Sequence, residues 1–143
     1  MTETHRILVP TDGSEHAAKA LDFVLSMARR GLQVELHLLN VQPAVRGVAA
    51  TLVSHADIEA YHRDEAMKAL EPAAKIAEGA GVKPHLHVGV GQAGDTIVAF
   101  ADRLKCEQIV MGTRGLGGFS GLLLGSAARD VAGSANVPVT LLR

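Results

Sequence analysis

Six of the 15 glycines in this 143-residue chain lie between positions 112 and 125. This glycine-rich window follows an apolar run that ends at Met111, and a helical pattern begins just after it at Ser126. Because glycine has no Cβ, backbone N–H groups can approach an anion closely, and a helix N-terminus adds further unpaired N–H donors. Arg114 supplies a positive charge in the same window. These residue types in this order predict a cradle for a polyphosphate.

Two common phosphate-binding motifs do not fit the window. A P-loop requires Gly-Lys-Ser/Thr, whereas Leu124 precedes Gly125 and no lysine lies in the window. The dinucleotide fingerprint G-x-G-x-x-G fails because Ser120 stands at its third glycine position and because the window does not follow the first predicted strand. A flexible linker is also a poor explanation, since Leu116, Phe119 and further leucines interrupt the glycines.

Apolar runs alternate with helical patterns along the chain, which predicts an α/β fold in one domain over residues 1–143. Parallel strands need such helical crossovers, so we expect a five-stranded parallel sheet with helices on both faces. The segment from Pro43 to Ala56 has no clean period and is predicted to be a loop. Pro72 predicts a kink or break near Leu70 in the helix over 57–78. The predicted strands are 7–10, 34–41, 85–90, 108–112 and 137–142, and the other helices lie between 14 and 31, over 94–104 and over 126–133.

The apolar pattern also ranks the strands by position. The first and fourth strands are apolar at nearly every residue, as central strands buried on both faces should be, whereas Pro138 favours an edge for the fifth. In an open α/β sheet, ligands bind at the carboxyl ends of the strands where the strand order reverses. We therefore expect a crevice flanked by Pro10, Thr11 and Asp12 on one side and by Met111 and the glycine-rich window on the other.

The spacing Gly112, two residues, Gly115, nine residues and then Gly125-Ser126 resembles the adenine-nucleotide signature of the universal stress protein family. Residues 7–14 (ILVPTDGS), 109–115 (IVMGTRG) and 137–139 (VPV) are similar to that family's opening strand and turn, fourth strand and last strand, in the same order. The resemblance implies an adenine-nucleotide alpha-hydrolase-like fold with strand order 3-2-1-4-5, a homodimer, and binding of ATP.

The resemblance also implies roles for individual residues. Asp12 would lie by the ribose and adenine, and the main chain of Val41 would meet the adenine edge. ATP, ADP and AMP share most of these contacts, and Mg²⁺ can accompany ATP. Nothing is carried over to the segment from Pro43 to Ala56. The residues that would surround the phosphates are Gly112, Arg114, Gly115, Gly125, Ser126 and Ala127.

Several of these residues have ordinary structural explanations as well. Asp12 with Glu15 resembles a capping box, and Ser126 can cap the helix that follows it; both roles are compatible with ligand contact. Arg129 is interpreted as solvated or ion-paired, and helix capping explains Asp95.

The leading hypothesis is a nucleotide-binding regulatory or stress-response protein without catalytic residues, because the sequence shows no P-loop lysine, no second carboxylate near Asp12 and no acidic pair for a metal. One alternative is a slow ATPase or adenylate-transfer enzyme, in which Arg114 would stabilise a phosphoryl transition state. Another is a protein-interaction module in which the nucleotide only supports the fold.

Composition limits the classes of partner and the location. Lys and Arg total 14 against 15 Asp and Glu, and this net charge of -1 argues against a broad nucleic-acid surface. No window approaches the roughly 20 apolar residues of a membrane span. The start of the chain shows no secretory signal, so a cytoplasmic location is expected.

Cys106 is the one cysteine, so an internal disulfide is excluded. We interpret its side chain as a half-buried structural thiol.

Two further features concern the sheet edges. His85 and His87 share one face of a strand, and His37 can face the same way on the neighbouring strand. We interpret them as the polar face of outer strands; a metal site and a pH-sensitive surface are the alternatives. The apolar last strand, Val137 to Leu142, is predicted to pair with a second copy in a homodimer. A monomer with a shielded edge is the alternative.

Overall fold

The computed structural model describes residues 3–115 and 124–143. Its helices and strands alternate as predicted, and the glycines at 117, 118 and 121 lie outside the described residues. The elements are β1 (His5–Pro10), α1 (Glu15–Arg29), β2 (Val34–Gln42), α2 (Val48–Leu52), α3 (His55–Gly79), β3 (His85–Val90), α4 (Ala93–Arg103), β4 (Gln108–Gly112), α5 (Ser126–Ser134) and β5 (Val139–Leu142).

The five strands form one parallel sheet in the order β3-β2-β1-β4-β5, which confirms the predicted fold. β1 pairs with β2 along its whole length, from His5 with Val34 to Pro10 with Leu39. The strand order reverses between β1 and β4, whose pairing, at Ile7 with Gln108 and at Leu8 with Ile109, stops short of the carboxyl ends of both strands. The two ends are therefore open to a ligand between them.

Helices cover both faces of the sheet because alternate strand residues point to opposite sides. On one side, Ile7, Val9 and Leu38 lie in a buried cluster with Leu70 and other residues of α1 and α3. On the other side, a second buried cluster joins the sheet to α4 and α5; its members include Leu8, Leu39, Ile97, Ile109, Met111 and Val131. Burial on both faces explains why the central strands read as continuous apolar runs.

Side-chain and glycine caps define the ends of α1 and α3. Ser14 is the N-cap of α1 and accepts a hydrogen bond from the Ala17 N–H (3.2 Å), so the alternative that Asp12 caps this helix is wrong. Gly31 and Gly81 follow the ends of α1 and α3 with φ angles of +107° and +83°. Because L side chains rarely adopt this left-handed conformation, glycine at these positions ends each helix.

The predicted break near Leu70 is wrong, and so is part of the predicted loop from Pro43 to Ala56. α3 runs without a break from His55 to Gly79 and contains Pro72. The ring of Pro72 carries no N–H, so the Lys68 carbonyl has no helical donor. Both residues are exposed, and water can donate to that carbonyl instead. Leu70 and nearby alanines stay buried on the sheet side of the helix. The predicted loop from 43 to 56 contains the short helix α2, which has no buried residue and therefore no apolar period to detect. In the described parts of the chain, no helix has the length and apolar character needed to cross a membrane.

Candidate functional site

A crevice of about 490 Å³ lies at the carboxyl ends of β1, β2 and β4, where the strand order reverses. All eleven residues predicted for the site line it: Pro10, Thr11, Asp12, Val41, Met111, Gly112, Arg114, Gly115, Gly125, Ser126 and Ala127. The described lining also includes residues that the sequence analysis did not assign: Ala17, Leu39, Asn40, Ala93, Ile97, Thr113, Leu124, Ala128 and Arg129. Thr113 and Leu124 could have been found from their places in the motif, whereas α4 residues such as Ile97 reach the crevice only through tertiary packing.

The described ends of the glycine-rich window are joined by a short backbone hydrogen bond. The Gly125 N–H donates to the Thr113 carbonyl (2.6 Å), which brings the start of α5 back to the end of β4. Ser126 therefore lies in the same crevice as Arg114 and Gly115, although residues 116–125 separate it from them in sequence. Residues 116–123 of the window lie outside the described residues.

The motif glycines Gly112 and Gly115 leave no room for a side chain. A Cβ on Gly112 would lie 2.6 Å from His16 Cβ and 2.8 Å from the His16 carbonyl carbon, so this glycine lets α1 pack directly on β4. A Cβ on Gly115 would lie 2.5 Å from Asp12 Oδ2. Gly115 thus allows the loop after β4 to approach the Asp12 carboxylate across the crevice.

Two polar atoms in the lining are buried without a hydrogen-bond partner. Thr113 is only 5% exposed, and neither its Oγ1 nor Arg114 Nε has a partner within the described residues. An unpaired buried polar atom costs free energy, and structures normally provide one with a partner. The Thr113 hydroxyl and the Arg114 guanidinium can both donate, so a ligand with acceptor oxygens would satisfy them.

The N-terminus of α5 adds further donors. Gly125, not Ser126, is the N-cap of α5, so the alternative that Ser126 caps this helix is wrong. Gly125 has no side chain that could cap the helix, and the first N–H groups of a helix have no intrahelical acceptor. Arg129 is exposed on the wall of the crevice and donates through Nη2 to the Leu124 carbonyl (3.3 Å). This end of the crevice therefore combines N–H donors, two guanidinium groups and the positive end of a helix dipole.

The opposite part of the lining is apolar. Leu39 and Val41 of β2, Ile97 of α4 and Met111 of β4 all belong to the core cluster under α4 and α5. A crevice that is apolar on one side and rich in donors on the other suits a molecule with a flat ring and an anionic tail.

The N-cap of α4 is Gln92. Its Oε1 accepts a hydrogen bond from the Asp95 N–H (2.6 Å), so the prediction that the Asp95 side chain caps this helix is wrong.

The rings of the three histidines of β2 and β3 stack in a cluster, and none of the three lines the crevice. As expected, His37 is beside His85 in the strand register, and their rings stack with centroids 4.8 Å apart. His37 is 6% exposed, and its two ring nitrogens contact His87 Nε2 (2.9 Å) and Glu35 Oε2 (2.8 Å). A solvated polar face is therefore not the right description of His37. Within residues 3–115 and 124–143, no group of three ligand side chains could hold a metal ion.

Burial lowers the pKa of His87, and the charges of His37, His85 and Arg103 lower it further. A hydrogen bond from His37 lowers the pKa of Glu35, and the nearby Arg6 guanidinium adds to this effect. Cys106 is buried rather than half-buried, and burial raises the pKa of its thiol to about 11. This thiol is therefore protonated and unreactive near neutral pH, as a structural role requires.

We expect the free energy of unfolding to fall as the pH drops below 6.5, the ordinary pKa of the His87 side chain. The pKa of His87 is lowered in the folded state, so the unfolded chain takes up this proton first and folding loses stability in that range. Glu35 acts at lower pH, because its lowered pKa preserves its contribution until the pH falls below 4.5. Urea unfolding at several pH values should show a smaller decline for His87→Gln than for the unchanged protein.

His55→Gln is the matched control for this prediction, because the His55 side chain is 90% exposed at the start of α3. It should show the same decline as the unchanged protein. An equal decline in His87→Gln and His55→Gln would contradict the prediction.

The fold and the site place this protein in the class of doubly wound α/β proteins, which have an open parallel sheet and a ligand crevice where the strand order reverses. The sequence model of the universal stress protein family matches residues 3–143. This chain belongs to the universal stress protein family.

Individual relatives agree with this assignment. Universal stress protein MJ0531 of Methanocaldococcus jannaschii is 34% identical over 140 residues, which cover 96% of this chain and 81% of the relative. The solved structure of protein MJ0577 is 30% identical, with a TM-score of 0.82 over 96% of this chain and 94% of that one. The universal stress protein from Archaeoglobus fulgidus, solved in complex with dAMP, is 27% identical, with a TM-score of 0.72 over 100% of both chains.

Proposed function

We propose that this protein binds an adenine nucleotide, with ATP as the ligand, in the crevice at the carboxyl ends of β1 and β4, and acts as a regulatory rather than a catalytic protein. The observation that carries this proposal is a pair of buried donors beside the N-terminus of α5, Thr113 Oγ1 and Arg114 Nε, which have no partner among the described residues. The structure of the Archaeoglobus fulgidus relative with dAMP supports an adenine nucleotide as the ligand class.

The two ends of the crevice suggest how the nucleotide lies. The phosphates would lie against Gly112, Gly115 and the start of α5, where Arg114 and the exposed Arg129 supply positive charge. The adenine would lie on the apolar side, with its edge toward the main chain of Val41, and the ribose beside Asp12. This orientation puts anionic and apolar groups of the ligand against matching groups of the protein.

A magnesium ion with ATP would be held mainly by the phosphates. Asp12 is the one carboxylate in the described lining, and its Oδ1 already accepts a hydrogen bond from the Ser14 N–H (2.9 Å). Mg²⁺ is commonly bound through one or two carboxylates together with substrate phosphates and waters. Because Asp12 is proposed to lie beside the ribose, the described lining offers no carboxylate at the terminal phosphate, and Mg²⁺ would be held there by phosphate oxygens and water.

The same lining favours binding over hydrolysis. A general base is needed to orient or activate an attacking water, and Asp12 is the one carboxylate in the described lining, which contains no histidine. The proposed location of Asp12 beside the ribose places it away from the terminal phosphate. Slow ATP hydrolysis thus has a charged stabiliser in Arg114 but no second catalytic group in the part of the lining that the structure describes.

Calorimetric titration of the purified protein with ATP tests this proposal. We expect saturable binding of one ATP per chain, and no release of ADP or AMP when the same sample is incubated with ATP and Mg²⁺. Absence of heat with ATP, ADP and AMP would contradict nucleotide binding and favour an interaction module. Release of ADP at a rate that follows the protein concentration would favour the enzyme.

We further propose a homodimer that forms through the last strand. β5 pairs with β4 along one edge and is the terminal strand of the sheet, and all four of its residues are partly exposed. Pairing with β5 of a second copy would give its outer backbone groups partners. The sedimentation coefficient of the sample used for calorimetry should correspond to a dimer, and a monomer at all concentrations would contradict this part.

A further inference from the structure

Asn40 is a buried polar residue of β2 on the face of the sheet that packs against α3. It is 5% exposed, and its Nδ2 donates to the Thr11 carbonyl (2.8 Å) while its Oδ1 accepts from Gln42 Nε2 (2.7 Å). A backbone carbonyl can only accept a hydrogen bond, so the amide nitrogen of Asn40 must face Thr11. Chemistry alone therefore determines the orientation of this side chain.

The hydrogen bond from Asn40 fixes the chain just after β1. The Thr11 N–H donates to the Leu39 carbonyl (2.8 Å), so both polar groups of the Thr11 backbone are tied to β2. Without Asn40, the Thr11 carbonyl would lose its side-chain donor, and the peptide that joins Thr11 to Asp12 could rotate. The position of the Asp12 Cα thus depends on the Asn40 side chain.

The Asp12 carboxylate is held from its other side as well. The Ser14 N–H donates to Asp12 Oδ1 (2.9 Å), and Oδ2 is directed toward Gly115, where an added Cβ would lie 2.5 Å away. Hydrogen bonds to an ionised carboxylate are short and depend strongly on geometry. A shift of the Asp12 Cα by about 0.5 Å is enough to spoil such a contact.

We propose that Asn40 is a positioning residue that holds the Asp12 carboxylate where it recognises the ribose hydroxyls of the bound nucleotide. The inference rests on the proposed function and adds to it a ligand class: adenine nucleotides whose ribose carries its hydroxyl groups. Asn40 lines the crevice, but its amide nitrogen and oxygen are engaged with the Thr11 carbonyl and with Gln42, so it acts through Thr11 and Asp12. Its loss should therefore weaken recognition of the ribose and leave recognition of adenine and phosphates unchanged.

The test compares the affinities for ATP and for 2′,3′-dideoxy-ATP, measured by calorimetry on the full chain. The unchanged protein should bind ATP at least about tenfold more tightly, as expected for a hydrogen bond to a charged group. In Asn40→Ala, the ratio of the affinity for ATP to that for 2′,3′-dideoxy-ATP should fall to about twofold, because only the affinity for ATP decreases. Asn40→Asp should lower the ratio in the same way, since it keeps the size and the acceptor for Gln42 but cannot donate to Thr11 when ionised; its negative charge repels both triphosphates alike and cancels in the ratio.

Asn136→Ala is the matched control, because the Asn136 side chain hydrogen-bonds at the surface to Asp102 Oδ2 (3.1 Å) and does not line the crevice. Its ratio should equal that of the unchanged protein. If Asn40→Ala does not fold, as judged by thermal melting, the isosteric Asn40→Asp carries the test.

Three results would overturn the inference in distinguishable ways. An unchanged ratio in the folded Asn40 variants, or an equal loss for both nucleotides, would give Asn40 a merely structural role. Equal affinities of the unchanged protein for ATP and 2′,3′-dideoxy-ATP would end the inference and leave the proposed function intact. Failure of the unchanged protein to bind either nucleotide would end both.

Discussion

We expect Gly115→Ala to weaken ATP binding about a hundredfold, while the free energy of unfolding stays close to that of the unchanged protein. The added Cβ would lie 2.5 Å from Asp12 Oδ2, so the carboxylate or the loop after β4 must move. Gly115 is exposed, and the displaced group lies at the crevice rather than in the core, so the fold should tolerate the change. Calorimetry with ATP and urea unfolding measure the two quantities separately.

Gly133→Ala provides the control for Gly115→Ala. It makes the same chemical change in α5, at an exposed position where an added Cβ would meet nothing within 4 Å. Its ATP affinity should match that of the unchanged protein, and the better helix propensity of alanine should raise stability slightly. Tight ATP binding by Gly115→Ala would show that the nucleotide does not lie between Asp12 and the loop after β4.

Gly112→Ala should instead act on the fold, with a loss of about 3 kcal/mol in the free energy of unfolding. The new Cβ would lie 2.6 Å from His16 Cβ and within 2.9 Å of the His16 carbonyl group. Because two of these three atoms belong to the backbone of α1, no rotation of a side chain relieves the contact. The helix must move away from β4, and the buried contacts between them weaken.

Urea unfolding of Gly112→Ala should show this loss as a lower midpoint with an unchanged slope. Gly79→Ala is the control, since an added Cβ at this last residue of α3 meets nothing within 4 Å and should leave the midpoint almost unchanged. Equal midpoints for the two variants would contradict the direct packing of α1 on β4.

Patterns that lie close together in sequence predicted most of the fold and of the candidate site. Continuous apolar runs indicated which strands are central, because residues buried on both faces leave no polar alternation. The spacing of Gly112, Gly115 and Gly125 indicated the loop that lines the crevice, and an added Cβ at Gly112 or Gly115 would lie 2.6 Å or 2.5 Å from its nearest neighbour. These rules depend on local geometry, and the structure satisfies both.

Contacts between distant segments could not be predicted in the same way. Ile97 reaches the crevice only because α4 packs under α5, and nothing near it in sequence indicates this position. Asn40 is a lone amide in a strand, and its importance depends on the register that places it beside Thr11. At Pro72, the helix propensity rule was overridden by the burial of Leu70 and its neighbours on the sheet.

The hydrogen bond between the Gly125 N–H and the Thr113 carbonyl has a consequence for how this family can vary in chain length. This bond ties together the two described ends of the glycine-rich window, and the entropy of closing a chain between two fixed ends grows only slowly with the number of residues inside. Insertions or deletions between Gly115 and Leu124 should therefore cost the sheet little stability. A constant spacing of nine residues before Gly125 would then reflect a requirement of the bound ligand and not of the fold. The length of this loop can therefore indicate ligand binding, whichever residues the loop contains.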